Sequence, residues 1–278
     1  MKKGFIFLFF AACCSFIVKS QNHQLVKKWE TDSVFKVPES VLFDKAANVL
    51  YIANIDGKEP WGADSKGSVG KMDADGKNIT VDWVTGLQAP KGMGLHKGRL
   101  YVADLKEIVV INIAQGVIEK RITVPGAEGL NDISINKKGV IYVSDSRARK
   151  IYTVKNGEAT VLLDSLKGPN GVLAQGKKFY ILDAGTLYNV KKDKTLTKIT
   201  DGMEGGTDGV EQINANSDFI VSTWAGVVYY VSADGSKQIL MDGRNTKMNS
   251  ADIGIDAKNK IIFVPTFWRN SVAAYEVR

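Results

Sequence analysis

An all-β chain of six repeated units is what this sequence predicts, and three observations predict it. First, one short apolar pattern recurs six times: Leu50-Tyr51-Ile52-Ala53, Leu100-Tyr101-Val102-Ala103, Ile141-Tyr142-Val143-Ser144, Phe179-Tyr180-Ile181-Leu182, Phe219-Ile220-Val221-Ser222 and Ile262-Phe263-Val264-Pro265. Their second residues stand 38 to 50 positions apart. Second, each pattern follows an alternating strand and a tight turn such as Asn136-Lys137-Lys138-Gly139, and the first five lead into two further β-type runs. Third, no stretch joins helical periodicity to helix caps, which excludes a helical array. Four short strands in a unit of about forty residues make a propeller blade, so the expected fold is a six-bladed β-propeller.

The N-terminal segment reads differently from the rest. Lys2 and Lys3 precede an apolar run from Phe5 to Val18, and Val18-Lys19-Ser20 is followed by Gln21. A basic start, a short apolar run and a small residue at the cut describe a secretory signal peptide over residues 1–20, with the propeller over 21–278. The run is too short to span a bilayer. Phe10-Ala11-Ala12-Cys13 also loosely resembles a lipobox, so the exported, periplasmic protein has a lipid-anchored alternative. Cys13 and Cys14 are the chain's two cysteines, and cleavage removes both. The mature chain then has no disulfide, thiolate metal site or cysteine nucleophile. Loss of the leader lowers the formal net charge from +7 to +4. No basic run accompanies that excess, so a nucleic-acid partner is not indicated.

The ends of the repeat region predict how the ring closes. The sixth unit stops at its third strand, Val272-Ala273-Ala274-Tyr275-Glu276-Val277. Ahead of the first unit lies Leu25-Val26-Lys27-Lys28-Trp29-Glu30, which has the character of outer strands such as Thr80-Val81-Asp82-Trp83-Val84. The N-terminal strand is therefore expected to complete the last blade, tying down both termini.

Aligning the units on their first strand exposes a polar ring. The six starts are Glu39-Ser40-Val41, Lys91-Gly92-Met93, Asn131-Asp132-Ile133, Asn170-Gly171-Val172, Asp208-Gly209-Val210 and Ala251-Asp252-Ile253. The third residue is apolar each time, as strand alternation requires. The first residues should converge at the channel mouth, and four of them are Glu39, Asn131, Asn170 and Asp208. Singly, an Asn or Asp at a strand start reads as a turn residue that bonds locally. Glu39 does not fit that reading, and four oxygen donors in equivalent positions would repel or go unsatisfied without a cation. Two carboxylates and two amide oxygens suit one divalent cation, with Ca²⁺ expected and Mg²⁺ or Mn²⁺ compatible. A purely oxygen set disfavours Zn²⁺.

With these motifs in hand, the chain resembles the SMP-30/gluconolactonase/luciferin-regenerating-enzyme family, related to paraoxonase-type and diisopropylfluorophosphatase-type propellers. The resemblance rests on Pro38-Glu39-Ser40-Val41-Leu42-Phe43-Asp44 with Leu50-Tyr51-Ile52, on Leu130-Asn131-Asp132, on Pro169-Asn170-Gly171-Val172 and on Thr207-Asp208-Gly209-Val210. It implies an exported metal-dependent hydrolase of a lactone or related ester. Glu39, Asn170 and Asp208 would be metal ligands, and Asn131 a fourth ligand or a contact to substrate. Asp208 would be the catalytic base or nucleophile, with water activated by the metal as the competing nucleophile. The arginine that lactonase members can carry two residues before this asparagine is Gly129 here.

The loops that follow the marker strands are expected on the same face as the ring. Asn54, Asp104, Asp145, Asp183, Thr223 and Thr266 open these loops and read mainly as turn caps. The first loop is extended, Gly57-Lys58-Glu59-Pro60-Trp61-Gly62-Ala63-Asp64, and is a candidate lid. Arg147, Trp224 and Trp268 are candidate contacts for a small-molecule substrate, a lactone or sugar derivative; inter-blade packing is the competing role for both tryptophans. Asp145-Ser146-Arg147-Ala148-Arg149-Lys150-Ile151 is also similar to NHL-type interaction propellers. A noncatalytic propeller that binds a protein or carbohydrate is therefore the second function class.

Overall fold

The six marker patterns form the second strands of six four-stranded antiparallel sheets, arranged as a six-bladed β-propeller. This computed structural model describes residues 22–278; the expected leader lies outside the described residues. The innermost strands are Pro38–Asp44, Pro90–His96, Leu130–Ile135, Pro169–Gln175, Thr207–Gln212 and Gly254–Asp256. Among the described residues helix is confined to two single 3₁₀ turns, Arg244–Thr246 and Phe267–Arg269. Among the described residues no helix is long and apolar enough to cross a membrane.

The core lies between blades. Leu50 and Ile52 pack towards blade six with Val41, Phe263 and Val272. Their alternates Tyr51 and Ala53 pack towards blade two with Met93, Leu100 and Val102. A strand covered on both faces must be apolar at every position, which is why the markers read as unbroken apolar runs. Equivalent clusters fill the remaining blade junctions.

Closure takes the expected form. Leu25–Glu30 is the outer strand of blade six, with Leu25 opposite Val277 and Glu30 opposite Ala273. A second seam seals the ring at its centre. Ser40 of blade one and Asp252 of blade six form a parallel bridge, with the Asp252 N–H donating to the Glu39 carbonyl at 2.9 Å. The Ser40 hydroxyl donates to Asp252 Oδ2 at 2.6 Å. The free inner edge of another strand is capped by side chains: the Val172 N–H donates to Asp132 Oδ2 and the Ala174 N–H to Ser134 Oγ. Blade three thereby satisfies the edge of blade four.

Candidate functional site at the channel mouth

Each innermost strand of blades one to five begins with an irregularity in its pairing. The register shifts between Pro38 and Ser40, Pro90 and Met93, Leu130 and Ile133, Pro169 and Val172, and Thr207 and Val210. Glu39, Lys91, Asn131, Asn170 and Asp208 all fall inside these breaks. A bulge frees a residue from the ladder and re-aims its side chain. Here the repeated bulge turns the polar residue inward, while the apolar third residue keeps its place in the core.

Acidic caps hold the loops that feed the bulges. Asp104 accepts the N–H groups of Gln88 and Ala89, Asp145 those of Glu128 and Gly129, and Asp183 those of Lys167 and Gly168. These are three of the loop-opening residues read from the sequence as turn caps. Glycine then lets neighbouring blades close in. A Cβ on Gly171 would lie 2.4 Å from the Asp208 carbonyl oxygen, and one on Gly209 would lie 2.6 Å from Asp252 Oδ1.

Glu39, Asn131, Asn170, Asp208 and Trp224 line one pocket of about 430 Å³, joined by Lys91, Trp61, Ser146 and Phe267. Four of the expected ligands and one expected substrate contact therefore share a wall. The other two expected contacts lie outside it. Arg147 borders a neighbouring cleft beyond Trp61, its stem lying across Gly129, where an added Cβ would be 2.6 Å from Arg147 Cγ. Trp268 borders a third cleft with Lys36 and Asp56. Trp224 and Trp268 are 46% and 44% exposed, and both set an edge against Phe267, Trp224 reaching it from the neighbouring blade with ring centroids 5.8 Å apart. The extended first loop brings Trp61 over the pocket, its ring 4.2 Å from Lys91 Nζ.

The polar floor is arranged with its acceptors inward. The Asn131 amide nitrogen donates to Ser146 Oγ at 3.0 Å, and Ser146 in turn donates to the Pro169 carbonyl at 2.7 Å. The Asn170 amide nitrogen donates to Asp208 Oδ1 at 3.0 Å. Both carbonyl oxygens are left buried without a donor, and so is Glu39 Oε2. A buried acceptor without a partner is costly, so three in one pocket call for a cation or a donor-bearing ligand. Among the described residues no three carboxylate, imidazole or thiolate side chains converge as a metal site, so the two amides are needed to complete a ligand set.

Lys91 and Ser146 escaped the sequence reading of the site. Lys91 holds the ring position in blade two but carries no oxygen donor; its Nζ lies 3.6 Å from Glu39 Oε1. Ser146 had no signal beyond its place in a loop.

Deeper in the channel the acids continue. Asp132, Glu211 and Asp252 line a cavity of about 160 Å³ on the axis. Burial raises every carboxyl group along this line. Asp132 is pushed up to about 7, its backbone donors only partly offsetting desolvation, and half-buried Glu211 is pushed to about 8 by desolvation and the Asp132 charge. Glu39 is raised by desolvation against the pull of Lys91. Asp208 stands well above the usual carboxylate range through desolvation and the Glu39 charge, and Asp252 through desolvation and the Asp132 charge.

No protein-family model matches the chain, and no curated protein matches it. Solved structures share its fold. A catalytically inactive virginiamycin B lyase from Staphylococcus aureus, crystallised with quinupristin, superposes with a TM-score of 0.62 at 10% identity, covering 92% of this chain and 99% of that one. A structural-genomics protein of unknown function from Bacteroides thetaiotaomicron gives 0.67 at 12%, covering 92% and 76%. A chain of a nidogen/laminin complex gives 0.64 at 18%, covering 79% and 84%. At these identities the likeness extends to the fold and no further.

Proposed function

We propose that this six-bladed propeller is a metal-dependent hydrolase of lactones or related esters, working at a divalent cation in the channel mouth. The observation that carries the reading is the trio of buried acceptors without donors, Glu39 Oε2, Asn131 Oδ1 and Asn170 Oδ1, around the same pocket as Asp208. The donor set fits the group: two carboxylates and two amide oxygens are hard ligands suited to Ca²⁺, with Mg²⁺ or Mn²⁺ as alternatives. When bound, the cation would polarise the scissile carbonyl and stabilise the negative charge that develops on attack.

The chain's own residues supply the rest. Ser146 fixes the Asn131 amide so that its oxygen faces the pocket, and Asn170 bonds Asp208 and fixes its carboxylate. Asp208 would take a proton from the attacking water. Trp61, Trp224 and Phe267 offer ring faces to the apolar side of a substrate and exclude water from the floor.

The test combines metal analysis with assays of the mature protein. One equivalent of divalent metal is expected, with lactone hydrolysis that chelation abolishes and that Asp208→Asn lowers by at least a hundredfold. Hydrolysis indifferent to both treatments would overturn the reading.

A second reading draws on the same pocket. Sugar hydroxyls could donate to the three acceptors while a pyranose ring stacks on the aromatic wall, making the chain a noncatalytic carbohydrate-binding propeller. Binding of a sugar by metal-free protein, with no turnover, would favour it. Protein binding belongs to the same noncatalytic class, and a chain of a nidogen/laminin complex shares the fold.

A further inference from the structure

The ring at the channel mouth contains a positive charge of its own. Blade two contributes Lys91 from the same bulge that delivers the acceptors elsewhere. Its side chain is 3% exposed, with Nζ 3.6 Å from Glu39 Oε1 and 4.2 Å from the centre of the Trp61 ring. A buried ammonium is tolerated only with a counter-charge and a polarisable surround, and Glu39 with the indole face provides both. Glu39 therefore faces two demands. One oxygen is engaged by Lys91, and the other is among the acceptors left without a donor.

Resting on the proposed cation site, we infer that Lys91 is a built-in competitor for the cation, an internal ammonium that shares Glu39 with the metal and sets the site's affinity. In the metal-free chain it compensates part of the buried negative charge and so preserves the ring. In the loaded chain it stands as a fixed positive charge close to the dication, and each opposes the other. Without Lys91 the ring carboxylates Glu39 and Asp208 bring a formal charge of −2 to the cation; with it the ring brings −1. Weakened affinity is the consequence of a charge the protein has placed there itself. The site then loads and empties at higher free cation concentrations than its oxygen donors alone would dictate.

The experiment titrates chelator-stripped mature protein calorimetrically with CaCl₂ and, separately, with MnCl₂, in parallel with thermal melts with and without CaCl₂. Lys91→Met removes the charge and keeps the apolar stem; Lys91→Gln is the second variant should the first fold poorly, and Lys91→Arg retains the charge. Removing the charge should tighten Ca²⁺ binding by roughly 10- to 100-fold at unchanged stoichiometry. It should also lower the melting temperature of the metal-free protein and enlarge the rise produced by Ca²⁺, since the ligand now rescues an uncompensated carboxylate. Lys91→Arg should do neither. Wild type that binds Ca²⁺ while both neutral variants bind equally or more weakly overturns the inference and leaves the cation site standing. Absence of Ca²⁺ and Mn²⁺ binding in wild type and neutral variants alike overturns the cation site and the inference with it. Binding gained only on removal of Lys91 supports both.

Discussion

Glu39 shows at the scale of one residue how this site is built. Its carboxylate is almost wholly buried, shares one oxygen with Lys91 and presents the other to a pocket where nothing donates to it. The neighbouring acids Asp132, Asp208 and Asp252 are buried with it, and titration exposes that burial. A carboxyl group raised in the folded state keeps its proton at pH values where the unfolded chain has lost it. Its contribution to stability is therefore complete below the unfolded pKa and is lost as pH rises towards the folded one. For Asp132 that window runs from the ordinary value of 3.8 to about 7. Urea unfolding in the presence of a chelator should give lower stability at pH 8 than at pH 5, by roughly 2–3 kcal/mol from Asp132 alone. Saturating Ca²⁺ should flatten the profile; equal stability at both pH values without metal would contradict the burial of these acids.

The residues of the site were legible in unequal measure. Glu39, Asn131, Asn170 and Asp208 could be read because a propeller repeats its register, so equivalent positions in different blades must meet on the axis. Lys91 occupied an equivalent position, but only the structure reveals that its ammonium turns inward to Glu39 and Trp61. Arg147 and Trp268 border clefts other than the ring pocket, since loop residues carry no register to say which cleft they enter. Ser146 was invisible, since a serine that orients an amide is indistinguishable in sequence from a serine in a turn.

At the scale of the element, the decisive feature is the bulge that opens each innermost strand of blades one to five. The apolar third residue and the marker strands announced the strands themselves, as the doubly covered Leu50-Tyr51-Ile52-Ala53 run shows. The bulge left no mark, because the extra residue leaves the apolar position where alternation expects it. Its geometric requirement shows only in the glycines. Gly171 follows Asn170, and a Cβ there would lie 2.4 Å from the Asp208 carbonyl oxygen. Gly171→Ala should therefore cost roughly 2–3 kcal/mol in stability, since backbone must yield to accommodate it. Gly168→Ala is the contrast, three residues earlier, with its nearest obstacle at 3.9 Å and an expected cost within about 0.5 kcal/mol. Equal melting temperatures for the two variants would show that the blades do not close in as described.

The whole molecule explains why so little sequence identity accompanies so close a fold. Each blade buries its faces against its neighbours, so any apolar set of the right size and period will serve, and propellers at 10–18% identity superpose over most of their length. Closure by Leu25–Glu30 and the Ser40–Asp252 seam then fix the six inner strands around one axis. That axis is what allows residues 39, 131, 170 and 208, distant in the chain, to address a common point. Crystals of the protein soaked in MnCl₂ and measured at the manganese edge test this directly. A single anomalous peak bounded by Glu39, Asn131, Asn170 and Asp208 is the predicted result. A mouth with no peak, its amide oxygens occupied by ordinary hydrogen-bond donors, would contradict it.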